Sequence, residues 1–430
     1  MEKYFGLKAH GTTVRTEVLA GVTTFLTMAY ILIVQPLTLQ NAGMDFGAVF
    51  TATAIASLLA TLVMGLTANL PFALAPGMGL NAFFAFSVVI GMGQTWQFAL
   101  TAVFLEGIIF ILLTIFNVRE AIINSIPLNV KRAISVGIGL FIAFIGLQNA
   151  NLIVGNPATL VGLGDFSSPQ VQVAAIGLVG TGILLALKVR GALLIGILGA
   201  TVIGVPLGVT SINEGFRLVS APPSIAPVFL QFEWSNIFTI EMVLVVFTFL
   251  FVDMFDTVGT LVGVSTKAGI LDESGRIPRA KQALLADAIG TTAGAMLGTS
   301  TVTTYIESAS GVEEGGRTGL TAVVVAGLFL VALFFSQLFL LIPGAATAPA
   351  LVLVGVFMVS SVKEIDFSDY TEAIPAFLTM IMMPLTFSIA EGIVFGVLSY
   401  IVLKAATGKF KQIPILTYFV GAFFLVTFFV

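Results

Sequence analysis

The chain has 430 residues, 58% of them hydrophobic and only 9% charged, with a mean hydropathy of +1.09. Ordinary soluble domains carry roughly 25% charged residues, so this composition excludes a soluble enzyme with a conventional surface and leaves a polytopic membrane protein with no appended soluble domain. With no cysteine, and one histidine (His10) in the polar N-terminal stretch, the chain has no means for disulfides, thiolate metal sites, cysteine nucleophiles or histidine relays.

Residues 1–16 form a polar tail holding Lys3, Lys8 and Arg15. The first apolar run lacks a clear small-residue cleavage site, so no signal peptide is expected. Apolar runs of about the length needed to cross a bilayer follow near 17–36, 47–69, 72–91, 97–117, 129–149, 170–188 and 191–209. The polar linker "SINEGFRLVSAPPS" comes next. Further spans are expected near 239–264, 280–298, 300–314, 319–342, 346–362, 373–388 and 389–404. The last apolar stretch, "QIPILTYFVGAFFLVTFFV", is expected to lie at the membrane surface.

The basic residues test this count. With the N-terminus inside, all 18 Lys and Arg except Arg217 fall on the cytoplasmic side, as the positive-inside rule requires. One miscounted span would invert every later loop. The expected architecture is therefore an all-α membrane protein of fourteen spans, multi-pass in the cell membrane with a cytoplasmic N-terminus. Seven is odd, so two seven-span halves, 17–225 and 226–405, have opposite orientation, which is an inverted-topology repeat. Residues 406–430 form the C-terminal apolar segment.

Three spans carry the chemistry. In "NLPFALAPGMGLNAFFAF", Pro71 and Pro76 break a regular helix and Gly77 and Gly79 permit close backbone approach, so an extended piece followed by a half-helix through Asn81 is expected. The alternative is a proline kink in a packed helix. In "FLFVDMFDTVGTLVG", Asp253 and Asp256 are three residues apart and share a helix face, with Thr257 and Thr260 nearby. Two carboxylates at that spacing repel when both are ionised, which suits a group that binds and releases H⁺. Local capping or pairing is the competing role, above all for Asp253. In the third span "STVTTY" is β-branched and reads as a short strand. A helix is expected to begin near Glu307, with Ser308, Ser310 and Gly311 on it. The two extended pieces can pair, with the following half-helices aiming N–H groups at one point beside Glu307. Non-helical backbone at this depth survives only where protein or a cavity satisfies it, and an intramembrane ionisable group is functional by default.

Glu106, Asp287 and Glu391 read as structural hydrogen-bonding groups, and Glu313, Glu314 and Arg317 as a solvated cytoplasmic boundary. Phe83, Phe84 and Phe255 neighbour the proposed site and are placed to stack on a flat ring.

"FDTVGTL", "TTYIESASGVEEGGRTGLT" and "APGMGLNAFF", with "RTEVLAGVTTFLTMAYI" from Arg15, resemble the AzgA-like branch of the nucleobase–cation symporter family, the xanthine/uracil/vitamin C permeases. The resemblance covers essentially the whole chain. It implies short strands in spans 3 and 10, a core domain from spans 1–4 and 8–11, and a gate domain from spans 5–7 and 12–14 that often dimerises, so a homodimer through the gates is expected. It also implies import of adenine, guanine or hypoxanthine with H⁺, with no enzymatic activity, cofactor, metal or nucleic-acid partner. The family's substrate carboxylate falls on Glu307, its acidic position in span 8 on Asp256 and its span 3 asparagine on Asn81. Phe83, Thr257, Thr260 and Ser308 complete the expected substrate site, and Asp256, Glu307 and Asp253 are the expected proton-coupling groups. The uracil branch carries a histidine where this chain has Thr260, which argues against a uracil permease.

Other readings stay open at this point: a uracil or xanthine permease, an anion transporter of the same architecture, an intramembrane enzyme using Asp253, Asp256 or Glu307, and a channel. Carboxylates beside the site argue against an anion as cargo. No Gly–Asp protease motif is present, and paired interruptions fit alternating access better than a pore.

Overall fold

The computed structural model describes residues 2–116, 128–211, 216–270 and 277–426. Part of the linker expected around Ser211–Ser224, and the side chain of Phe255, lie outside the described residues. Eight of the described helices are long and apolar enough to cross a membrane, and Met78–Gly91 and Ala192–Gly204 are shorter apolar helices.

The helices sort into two packed sets. In one, Ala280–Leu297 packs on Trp96–Ile115 and Phe46–Val63, Gly319–Ala332 packs on Val14–Met28 and Phe46–Val63, and Ile240–Ala268 packs on Trp96–Ile115. In the other, Leu128–Asn149 packs on Gly344–Val359 and Tyr370–Thr386, with Pro169–Ala186, Ala192–Gly204 and Ile389–Ala406 around them. Small residues set the approach in both, as expected where lipid removes the hydrophobic drive between helices. A Cβ on Gly319 would stand 1.9 Å from the Gly65 carbonyl oxygen, and one on Gly355 would stand 2.5 Å from that of Gly139.

Glu17 explains part of the N-terminal motif. Its buried carboxylate accepts from the backbone N–H groups of Arg317 (2.9 Å), Thr318 (3.3 Å) and Thr321 (3.2 Å) and from the Thr321 hydroxyl (2.6 Å). It thus closes the N-terminus of Gly319–Ala332, where amides have no intrahelical partner.

Two three-residue strands cross in the first helix set. β1 (Leu74–Pro76) ends in a proline with no N–H to give, and a later strand of the same length, Val302–Thr304, pairs with it antiparallel: Leu74 opposite Thr304, Ala75 opposite Thr303, Pro76 opposite Val302. Bonds from Tyr305 N to Ala73 O (2.9 Å) and from Gly77 N to Thr301 O (3.0 Å) extend the ladder at both ends. The outer edges are closed by threonines from adjoining helices. Thr61 donates to Leu74 O (3.0 Å) and accepts from Leu74 N (2.9 Å), and Thr291 does the same for Val302 O (2.9 Å) and N (3.2 Å). Each strand's first residue therefore has both peptide groups satisfied, as backbone in an apolar layer demands.

A hairpin absent from the sequence reading joins the fifth and sixth apolar runs: β2 (Ile153–Asn156) pairs antiparallel with β3 (Leu160–Leu163). Asn156 Oδ1 accepts from Ala158 N at 2.8 Å, an Asx turn that starts the reversal. The C-terminal helix Ile415–Val426 has 12 residues and packs on Ile389–Ala406.

Candidate functional site

The strand crossing delivers Tyr305 and Glu307 to one place. The chain leaves the strand at Thr304, turns through Tyr305–Glu307 and enters the six-residue helix Ser308–Glu313. Tyr305 Oη donates back to Pro76 O at 2.5 Å, pinning this turn to the end of β1. Glu307 is half-buried, and its Oε1 accepts from Tyr30 Oη at 2.6 Å. Tyr30 sits where the first span breaks between Val14–Met28 and Ile31–Gln40, and is itself buried. Asp256, from Ile240–Ala268, lies within electrostatic reach of Glu307 and Tyr305. A Cβ on Gly77 would stand 3.7 Å from Asp256 Oδ2, so the glycine leaves room beside that carboxylate.

A vestibule of about 400 Å³ opens beside this group, within the range of small-molecule sites. Thr23, Thr27, Glu307 and Ser310 line it from the first helix set and Arg190, Leu193 and Phe357 from the second. Glu314 and Arg190 form an ion pair across it. A larger recess of about 680 Å³ lies near Arg217 and Gln337, at the other end of Gly319–Ala332, and no carboxylate lines it among the described residues.

The expected site residues divide by access. Glu307, Asp256 and Thr260 are half-buried, whereas Asn81, Thr257, Ser308, Asp253 and Phe83 are closed off. Each closed residue has internal partners. Asn81 Oδ1 accepts from the Ser300 hydroxyl and its Nδ2 reaches Pro76 O at 3.3 Å. Ser308 Oγ accepts from Ala73 N at 3.0 Å, and Phe83 meets Phe249 edge to face, 4.8 Å between ring centroids. Thr257 Oγ1 sits 3.2 Å from Asp253 Oδ1, 3.0 Å from Asp287 Oδ2 and 2.7 Å from Thr303 Oγ1.

The expectation that the second half-helix aims free N–H groups at the site needs correction. The amides of Ser308, Ala309 and Ser310 donate to Tyr305 O, Ile306 O and Glu307 O at 3.1, 3.0 and 2.9 Å. The tight first turn uses up these donors locally, leaving the Glu307 carboxylate rather than these amides to meet a ligand in the vestibule.

Sequence reasoning missed Tyr30, Tyr305 and Gln35, whose Nε2 donates to Thr299 and Ser300 hydroxyls, both at 3.0 Å. The sequence marks the tyrosines only by their rarity, six in all, and names no partner for either.

The Permease family model (xanthine/uracil type) matches residues 15–395. The chain is similar to the adenine permease AdeP of Escherichia coli, at 48% identity over 96% of this chain and 92% of that one. It is similar also to the guanine/hypoxanthine permease PbuG of Bacillus subtilis, at 46% identity over 100% of this chain and 99% of that one. Among solved structures it is similar to the transmembrane domain of a cyanobacterium bicarbonate transporter, BicA, with TM-score 0.66 at 15% identity over 89% of this chain and 97% of that one. At that identity the likeness is one of fold.

Proposed function

From the premise that the chain belongs to this permease family, in its purine branch, we propose that it is a secondary active transporter importing adenine, guanine or hypoxanthine by proton symport. The observation that carries the reading is Glu307, half-buried at the vestibule and oriented by Tyr30 at 2.6 Å. A purine is neutral and flat and presents adjacent N–H groups, and a carboxylate with two acceptor oxygens matches them. A base lacking those groups would leave Glu307 unpaired in a dry site, which is how such sites discriminate. Asp256 and Thr260 are half-buried like Glu307, and Asp256 lies within its electrostatic reach. Asn81, Ser308, Phe83 and Thr257 hold the strand ends and the helix behind them. Proton coupling falls to Asp253, Asp256 and Glu307.

Fourteen spans in two inverted repeats, 17–225 and 226–405, are supported by the matched threonines: Thr61 closes Leu74 from one half as Thr291 closes Val302 from the other. The two helix sets correspond to a core and a gate domain, with a cytoplasmic N-terminus, and movement of one against the other alternates access to the site. A homodimer would form through the gates.

The test is uptake of labelled adenine, guanine, hypoxanthine and uracil into cells lacking their own carriers, with and without a protonophore. Purine accumulation that collapses with the proton gradient is the expected result. Uracil uptake without purine uptake would sink the substrate assignment, and accumulation that survives the protonophore would sink the coupling.

A further inference from the structure

Behind the strand crossing, away from the vestibule, three helices bring three carboxyl groups together: Glu106 on Trp96–Ile115, Asp253 on Ile240–Ala268 and Asp287 on Ala280–Leu297. All three are 0% exposed. Glu106 Oε2 accepts from Thr301 Oγ1 at 2.9 Å. Its other oxygen, Oε1, is equally buried and meets no donor among the described residues. Among the described residues, the charged groups that act on Glu106 are the carboxyls of Asp253 and Asp287. Met78–Gly91 and Phe46–Val63, which pack on the same helices, contribute no titratable side chain.

A buried carboxyl oxygen with no donor, beside two further buried carboxyls, is satisfied by a proton, because ionised carboxylates only accept and repel one another. Thr257 raises the same demand independently. Its oxygen lies 3.2 Å from Asp253 Oδ1 and 3.1 and 3.0 Å from the two oxygens of Asp287. A hydroxyl has one proton to give, so it serves one aspartate, and the other faces it lone pair to lone pair unless that acid is protonated. Among the described residues no three acids are placed to ligate one metal ion. A proton meets both demands.

Of the coupling carboxyls Asp253, Asp256 and Glu307, we infer that it is Asp253, together with Glu106 and Asp287, that holds the transported proton, while Glu307 and Asp256 meet the base. This deepens the proton-symport reading and rests on it. The proton enters from one aqueous side, is held among the three carboxyls, and leaves on the other side with no further bond made or broken. The link to the base is short. Thr257 bonds Thr303 at 2.7 Å, and Thr303 belongs to the strand that continues into Tyr305 and Glu307. Loss of the proton sets carboxylates against each other beneath that strand and alters the seat of Glu307.

The experiment uses the full-length protein in proteoliposomes, with adenine as the probe. Base-driven proton entry is read by a trapped pH dye, and base exchange by counterflow of labelled adenine. Glu106→Gln supplies an N–H donor where the shared proton sits, mimicking the protonated cluster. Expected is a loss of base-driven proton entry of about tenfold or more, with exchange kept within about threefold. Base-driven proton entry at the wild-type level in Glu106→Gln overturns the inference. A wild-type protein that exchanges adenine but moves no protons fails the symport reading itself, and the inference with it, and is recognised because the defect is then not confined to the variant. Should Glu106→Gln also lose exchange, a base-free infrared pH-difference spectrum of Asp256→Asn decides. A protonated-carboxyl band retained there supports the buried cluster, and its disappearance moves the proton to the vestibule and overturns the proposal.

Discussion

Tyr30 gives its phenolic proton to Glu307 Oε1 at 2.6 Å across 277 positions of sequence, and this bond fixes which face of the carboxylate is left for a ligand. Hydrogen bonds to charged groups contribute about 1.5–3 kcal/mol. Tyr30→Phe should therefore weaken adenine binding by about tenfold or more, because the carboxylate loses its orientation while its charge remains. Glu307→Gln should cost more, since one acceptor oxygen becomes an N–H donor facing the base's own N–H. Equilibrium binding of labelled adenine to purified protein measures both, and a Glu307→Gln protein that binds adenine normally removes Glu307 from this role. At this scale Glu307 and Asp256 were legible, because carboxylates stand out in apolar spans. Tyr30 was not: a tyrosine in "TMAY" reads as ordinary packing, and its partner is known only once the first span meets the turn after the strand. Glu106 and Asp287 were legible as hydrogen-bonding groups but not as neighbours. Trp96–Ile115 must pack against two consecutive helices far later in the chain before their carboxyls meet.

Among the elements, the strand pair depends on the absence of a side chain at Gly77. A Cβ there would stand 2.6 Å from Thr303 Cγ2, a separation real Cβ atoms do not tolerate. The Gly77 backbone, with φ −72, accepts any residue, so the obstacle is steric. Gly77→Ala should force the strands apart and reduce adenine transport about tenfold or more, since a misplacement near 1 Å has effects of that order at a site. Thr303→Ser removes the offending methyl and keeps the hydroxyl that meets Thr257. Adding it to Gly77→Ala should recover most of the activity, a coupling that a double-mutant cycle in transport rate reads directly. Purely additive losses would show that the contact does not govern the crossing. The β-branched run and the bracketing prolines made these extended pieces readable in sequence. The threonines closing their outer edges were not readable, because Thr61 and Thr291 look like any hydroxyl bonding its own helix until a strand lies alongside. The hairpin of β2 and β3 was passed over for a related reason. Its strands are short, exposed and glycine-containing, and only the Asn156 turn distinguishes them from a loop.

Across the whole molecule, Arg190 and Glu314 join the two helix sets over the mouth of the vestibule, Arg190 from the turn before Ala192–Gly204 and Glu314 from the end of Ser308–Glu313. The Arg190 side chain is 64% exposed and that of Glu314 22%. Such a pair adds only about 0–1 kcal/mol, too little to matter for folding. If the two helix sets move against each other as proposed, the same amount shifts the balance of conformations by up to about fivefold. The contact exists in the arrangement that opens the vestibule to Glu307, so breaking it should depopulate that arrangement. The chain offers a clean probe because it has no cysteine. Ser310→Cys places a lone thiol in the vestibule, and its labelling rate by a membrane-impermeant maleimide, applied to membranes that expose the side the proposed topology makes cytoplasmic, reports how often the vestibule is open. Arg190→Gln and Glu314→Gln should each slow labelling by up to about fivefold, less at high salt because the pair is exposed. The charge-reversed double variant Arg190→Glu, Glu314→Arg should restore the rate. If the single variants label like the parent, or the double fails to recover, the pair is a solvated boundary contact and the balance between conformations is set elsewhere in the interface.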